Sequence, residues 1–248
     1  MNGGEVPRPL IVAHRGSSTE AEENTLEAFR LAIDHGADMI ECDVRRTRDG
    51  RIIVHHDPAV LSHTIRSSDF RDVLSHGRAI GRDIPLLEQV LRLCHGRIAL
   101  DLELKEPGYE MDILNLVDRF FPGGRCVFSS FSRIAVDRIR RNQPSRLTGN
   151  IYKKRGSIPP FIARRLLEHR LGTSIRHGDR WIFLQVDLLP FLPPDSLPRD
   201  QVKVAVWTVN SPSLIEQLMG DGRISAIVTD DPGLALACRR QRQEDPPF

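Results

Sequence analysis

The stretch from Ile40 to Pro58 reads IECDVRRTRDGRIIVHHDP. Ile40, Cys42 and Val44 alternate with Glu41 and Asp43, a period of two that predicts a strand with one apolar side and one side bearing two carboxylates. Asp49-Gly50 follows, a strong signal for a two-residue hairpin turn. With a tight turn there, Arg48 stands opposite Arg51 and, counting outward, His56 stands opposite Asp43. The pairing predicts Glu41, Asp43 and His56 on one face, and leaves His55 on the other as an ordinary hydrogen-bonded histidine. Two carboxylates and an imidazole gathered this way would serve a surface salt-bridge patch as well as a functional site, so the rest of the chain has to decide.

On both sides of this stretch, strand-like and helix-like segments alternate. Residues 10–14 read as a strand, 25–35 as a helix closed by Gly36, 86–93 as a helix closed by Gly96, and 98–104 as a strand. Later strands are predicted at 126–129, 147–151, 182–186, 202–206 and 224–228, with helices at 112–120, 133–141, 159–169, 212–219 and 232–242. Setting the return arm of the hairpin aside, about eight strands mostly followed by helices predict an α/β fold: a closed parallel (β/α)8 barrel of the TIM type, the hairpin extending its second strand. Residues 188–198, LLPFLPPDSLP, hold too much proline for a regular helix and read either as a packed surface loop or as a lid or lipid-facing flap beside the site.

A chain of 248 residues suits a single domain spanning 1–248, with residues 1–8 and the polar tail 239–248 as flexible ends. A net charge of +2 lacks the basic excess of a nucleic-acid binder. No leader-like start and no run of membrane-spanning length is present, so a soluble cytoplasmic protein without stable membrane insertion is expected. The four cysteines are far apart and form no CxxC pair, which predicts reduced, mostly buried thiols rather than a zinc site or a disulfide scaffold.

A parallel barrel carries its site at the C-terminal ends of its strands. Strand one ends in His14-Arg15-Gly16, an imidazole and a guanidinium before a glycine that lets backbone approach a ligand, which suits an anionic substrate. In 98–105, IALDLELK, the leucines at 100, 102 and 104 face the helix layer, leaving Asp101, Glu103 and Lys105 inside the barrel. Buried charges of this kind need compensation from one another, a metal or a ligand. Glu41, Asp43 and Glu103, His14 and His56, and Arg15 and Lys105 are thereby expected around one mouth. Carboxylates without thiolates suit a hard divalent cation, Mg²⁺ or Ca²⁺ with Mn²⁺ as a further candidate; the cations would neutralise a phosphate and the imidazoles would serve as acid and base.

The arrangement resembles the glycerophosphodiester phosphodiesterase family over nearly the whole chain. The matching pieces are HRG at 14–16, ENT at 23–25, ECD at 41–43, TRDG at 47–50, HHD at 55–57, ELK at 103–105, FSSF at 128–131, WTVN at 207–210 and VTDDP at 228–232. The resemblance implies Glu41, Asp43 and Glu103 as metal ligands, His14 and His56 as the acid-base pair, and Arg15 and Lys105 as phosphate-holding groups. It also implies Glu23 and Asn24 as supports behind them and Trp207 as part of the substrate wall, where core packing is an equal reading. Glu22 stands where the family usually has proline, and residues 59–82, where many relatives carry an inserted subdomain, read as only a short polar segment and so predict an open mouth.

The implied activity is metal-dependent hydrolysis of a small glycerophosphodiester to sn-glycerol 3-phosphate and an alcohol. A lysophospholipase D or sphingomyelinase D-like enzyme would use the same site but needs an apolar groove, for which Phe191-Leu192 is the candidate. A glycoside hydrolase pairs carboxylates at barrel strand ends but has no use for two histidines, Arg15 and Lys105 together. A non-catalytic phosphate-binding barrel has no need of an acid-base pair.

Overall fold

The computed structural model describes residues 8–154, 156, 159–192, 197–198 and 201–244. Eight parallel strands close into a barrel: β1 (Leu10–His14), β2 (Met39–Arg46), β6 (Ala99–Leu104), β7 (Cys126–Ser130), β8 (Leu147–Tyr152), β9 (Trp181–Gln185), β10 (Lys203–Trp207) and β11 (Ala226–Thr229). Closure is made by β1, which pairs with β11 on one side and β2 on the other. The ring of helices comprises α1 (Leu26–His35), α3 (Leu87–Cys94), α4 (Glu110–Phe120), α5 (Arg133–Asn142), α6 (Pro160–Arg176), α7 (Pro212–Met219) and α8 (Pro232–Glu244). Thr25 caps α1 by accepting from the Ala28 amide at 3.2 Å, and Gly36, in the left-handed region, ends it.

The period-two pattern of each strand divides the core in two. Ile40, Cys42, Val44, Leu100, Leu102 and Leu104 face outward and pack under α1, α3 and α4. Inside the barrel, Val12, Met39, Ala99, Val127, Phe183 and Ala205 form an apolar floor. Gly149 is part of this packing, because a Cβ there would lie 2.7–2.8 Å from the Trp181 backbone and the Phe183 ring. The same inward-facing positions further along the strands carry His14, Glu41, Glu103, Lys105, Lys153 and Gln185. On β1, β2, β6 and β8 the inward side thus runs from apolar to charged toward the C-terminal mouth, whereas β7, β9, β10 and β11 present Ser129, Gln185, Trp207 and Val228 there.

Several expectations need correction. The hairpin formed by β2 and β3 (Ile52–Val54) pairs Arg46 with Ile52 and Val44 with Val54, one residue out of the expected register. Gly50 adopts φ +81°, the Gly50 amide donates to the Thr47 carbonyl, and the Thr47 amide donates to the Arg51 carbonyl, so the loop has three residues rather than two. His55, not His56, therefore lies across from Asp43, its amide donating to the Asp43 carbonyl at 2.9 Å.

The segment 59–82 is also more than a polar connection. It folds as β4 (Ala59–Val60) paired with β5 (His63–Thr64), then α2 (Phe70–Ala79), over a small core of Ile53, Val60, Ile65, Val73 and Ile84. Glu22, at the departure from the family's proline, forms an ion pair with Arg82 and ties the loop after β1 to this insertion.

In the region of 188–198, Val186–Phe191 forms a 3-10 turn whose Leu188, Leu189 and following Leu192 are buried among the β9–β11 outer core; residues 193–196 lie outside the described ones. The polar tail expected from 239 is helical to Glu244, and Arg239 pairs with Asp38 at 2.6 Å. All four cysteines are free and buried. No helix among the described residues is long and apolar enough to cross a membrane.

Candidate active site

Glu41 and Asp43 on β2 lie beside Asp101 and Glu103 on β6 because the parallel register aligns Glu41 with Asp101 and Asp43 with Glu103. Glu41, Asp43 and Glu103 are all buried, and one oxygen from each falls within 4.8 Å of the others. Burial, reinforced by Asp43 and Glu103, pushes the Glu41 pKa well above the usual carboxylate range. Burial likewise raises Asp101 well above that range and raises Glu103, the latter against the pull of Lys105. Burial acts on Asp43 in the same direction, but Lys105 and Arg15 outweigh it and hold Asp43 below its ordinary value.

Lys105 supplies the positive charge nearest the cluster, its Nζ 2.5 Å from Asp43 Oδ1 and 2.6 Å from Glu103 Oε1. Desolvation would lower the Lys105 pKa, yet these carboxylates leave it raised. Glu41 Oε1 is buried without a hydrogen-bond partner. An orphaned carboxylate oxygen within an all-oxygen set of three acidic residues fits a hard divalent cation.

The loop after β1 is held in an uncommon conformation. Arg15 has φ +58°, Asn24 has φ +61°, and a Cβ on Gly16 would lie 2.7 Å from Ala28. The Arg15 amide donates to the Glu41 backbone and to Glu41 Oε2 at 3.0 and 3.1 Å. Arg15 Nη1 donates to Glu23 at 2.7 Å, while Arg15 Nε stands 3.1 Å from Asp43 Oδ2 without the alignment of a hydrogen bond. Asn24 clasps Asp43 reciprocally, its side-chain amide donating to Oδ2 at 2.8 Å and its carbonyl accepting the Asp43 amide at 3.1 Å. Glu23 and Asn24 thus fix the orientation of Arg15 and Asp43.

His14 and His56 line one cavity of about 300 Å³ with Arg15, Glu41, Glu103 and Lys105. His14 Nδ1 lies 2.6 Å from Asp230 Oδ1, and its Nε2 lies 4.0 Å from Glu41 Oε2. Asp230 is itself gripped by Asn210 at 2.5 Å and Ser18 at 3.3 Å. Burial tends to raise the Asp230 pKa, but the hydrogen bonds from His14 and Asn210 win and lower it. His56 Nδ1 lies 2.8 Å from Asp57 Oδ1. Both imidazoles are therefore held through Nδ1 by a carboxylate, leaving Nε2 for chemistry.

His56 reaches the cavity although the hairpin register differs from the expected one, because β3 ends at Val54 and the chain turns away from the ladder. Its carbonyl is clamped by Arg45, Nε at 2.9 Å and Nη2 at 2.6 Å, and Arg45 pairs with Glu106, which also accepts from Tyr109. His55 is buried on the far side, and burial foremost, with Arg82 adding, lowers its pKa.

Trp207 lines the cavity while packing against the barrel interior, and its Nε1–H is buried without a partner. Phe131 meets it edge to face at 5.8 Å between centroids. Asp230, Asn210, Phe131, Lys153 and Gln185 are not among the residues expected at the site from sequence. Asp230, Asn210 and Phe131 sit inside the quoted motifs VTDDP, WTVN and FSSF; Lys153 and Gln185 stand one residue past or at the end of their strands, at inward positions that alternation alone marks.

The Glycerophosphoryl diester phosphodiesterase family model matches residues 14–234. A glycerophosphodiester phosphodiesterase of Bacillus altitudinis is 36% identical over 254 residues, covering 93% of this chain and 98% of that protein. A solved glycerophosphodiester phosphodiesterase from Parabacteroides distasonis superposes with TM-score 0.79 at 22% identity, covering 96% of this chain and 100% of that one. An Oleispira antarctica phosphodiesterase solved in complex with the product sn-glycerol-3-phosphate superposes with TM-score 0.77 at 22% identity, over 94% and 97% of the two chains. With the family model spanning most of its length, and with a full-length relative above 30% identity, the chain belongs to the glycerophosphoryl diester phosphodiesterase family.

Proposed function

We propose that this protein hydrolyses small glycerophosphodiesters to sn-glycerol 3-phosphate and an alcohol, using a divalent cation with His14 and His56 as the acid-base pair. The observation that carries the reading is two carboxylate-anchored imidazoles lining the same cavity as a compact triad of buried acidic residues. The product named for the Oleispira antarctica structure supports the glycerophosphate side of the substrate.

Glu41, Asp43 and Glu103 are the residues that would hold Mg²⁺, Ca²⁺ or Mn²⁺, and such an ion offsets charge on phosphorus-bound oxygens when bound. Arg15 and Lys105 orient the diester and stabilise the same oxygens as charge builds on them. One Nε2 removes the proton from the attacking hydroxyl, of water or of the neighbouring glycerol carbon, and the other Nε2 delivers a proton to the departing alkoxide; in the second case water then opens the resulting cyclic phosphate to the monoester. Asp230 and Asp57 fix the imidazole tautomers in which Nε2 can do this. Trp207 offers its unpaired indole N–H to a substrate oxygen.

Leu192 is buried in the outer core and Phe191 packs against it, which speaks against an acyl groove at Phe191-Leu192.

A panel of soluble phosphodiesters assayed with EDTA, and then with each cation restored, tests the proposal. Turnover that disappears on chelation and returns with one of the three ions is expected. His14→Ala and His56→Ala should each lower kcat by roughly two to four orders of magnitude without unfolding the protein. Chelator-insensitive turnover, or near-normal rates in either histidine variant, would overturn the assigned roles.

A further inference from the structure

We propose that the leaving-group side of this site takes an alcohol bearing its own anionic group, a phosphate above all, seated in a cationic cavity between β8, α5 and α6. The inference rests on the glycerophosphodiester reading and adds to it the class of leaving group.

A second cavity of about 340 Å³ shares Phe131, Ile151 and Lys153 with the catalytic one, so the two adjoin across these side chains. Its remaining charged or titratable lining is Arg133, Tyr152, His169 and Arg170, and among the described residues no carboxylate lines it. Charge balance distinguishes these groups. Arg133 and Arg140 both reach the buried Asp179, at 3.2 and 2.9 Å, and both pair with Asp137. Two cations thus meet two anions. Lys153 and Arg170 are additional, and neither pairs with a carboxylate among the described residues.

Arg133 is incompletely used by its partners. Its Nη1 donates to Asp179 and Ser174; Nε stands 3.5 Å from Asp137 Oδ1 without a hydrogen bond, and the buried Nη2 makes none. Buried guanidinium N–H groups without acceptors are costly, and a phosphate oxygen is the acceptor a planar fork matches best. Lys153 stands between the two cavities, its Nζ 5.5 Å from the centre of the Phe131 ring. A quaternary ammonium leaving group would compete with that lysine for the ring and meet its like charge. An anionic leaving group instead meets the two additional cations, Lys153 and Arg170.

The test compares kcat/KM for glycerophosphoglycerol with kcat/KM for the same diester carrying a terminal phosphate on the departing glycerol, the ratio being the readout. Wild type should favour the phosphorylated compound by about ten-fold or more, as expected for charge-assisted contacts. The preference should shrink as ionic strength rises. Lys153→Glu and Arg170→Glu should each bring the ratio to one or below, and Arg170→Lys should retain most of it. An absent preference, or one that survives both charge reversals, overturns this inference while leaving the hydrolytic reading intact. Absence of turnover on every diester would overturn both.

Discussion

Asp230 accepts a hydrogen bond from His14 Nδ1 and is itself held by Asn210, so a residue 216 positions away in the chain decides which imidazole nitrogen is left toward the cavity. Asp230→Asn preserves the shape but offers an amide that favours the opposite tautomer. A fall in kcat of about two to three orders of magnitude is expected, with little change in melting temperature; an unchanged pH-rate profile would contradict the positioning role. His55 carries a different prediction. Its pKa is depressed from 6.5 by burial, so as pH falls below about 6.5 the unfolded chain binds a proton that the folded chain refuses. Stability should decline over that window, and His55→Gln should flatten the decline in denaturant midpoints measured from pH 7 to pH 5. At this scale much of the site was legible: strand alternation and the motifs brought together His14, Glu41, Asp43, Glu103 and Lys105. Asp230 was not, because its importance lies in what it touches across the barrel seam, which no local spacing records.

The β2–β3 hairpin shows why an element can be right while its register is wrong. Asp49-Gly50 signals a turn, but whether two or three residues form it depends on whether Gly50 alone takes the left-handed region, and composition does not separate those outcomes. Gly50→Ala places a Cβ in open space, so the cost is backbone strain alone, about 1–2 kcal/mol. Gly149→Ala has the opposite origin, a clash with the Trp181 backbone and Phe183 in the barrel floor, and should cost about 1–3 kcal/mol. Calorimetric melts of the two variants check both, and a neutral Gly149→Ala would refute the close-packing account. The insertion at 59–82 was hard to read because Val60 and Ile65 stand isolated among polar residues and the helical repeat of Phe70, Val73 and Gly77 is short. Val60, Ile65 and Val73 make a core only by meeting Ile53 and Ile84 from outside the segment.

Across the whole molecule, the eight-strand architecture was legible because every barrel strand obeys the same inside-outside alternation, whereas strand ends and the extent of α6 and α8 were set by packing. The barrel concentrates unlike demands: an apolar floor that stabilises it and a mouth whose carboxylates repel one another. Glu41→Gln should therefore raise the melting temperature of metal-free protein by a few degrees while abolishing any rise on adding cation. Wild type at about 100 times the cation Kd should gain roughly 2.7 kcal/mol, read as an upward shift of several degrees that EDTA reverses. The four thiols extend this to kinetics. Cys42, Cys94 and Cys126 lie in β2, α3 and β7, and Cys238 lies in the last helix. Chemical capping of these sulfurs by an alkylating reagent has to wait for the wall to open. Mass-resolved labelling would time the release of the final helix at Cys238 separately from the parting of the staves at Cys42 and Cys126, giving the protein a built-in clock for its own unfolding.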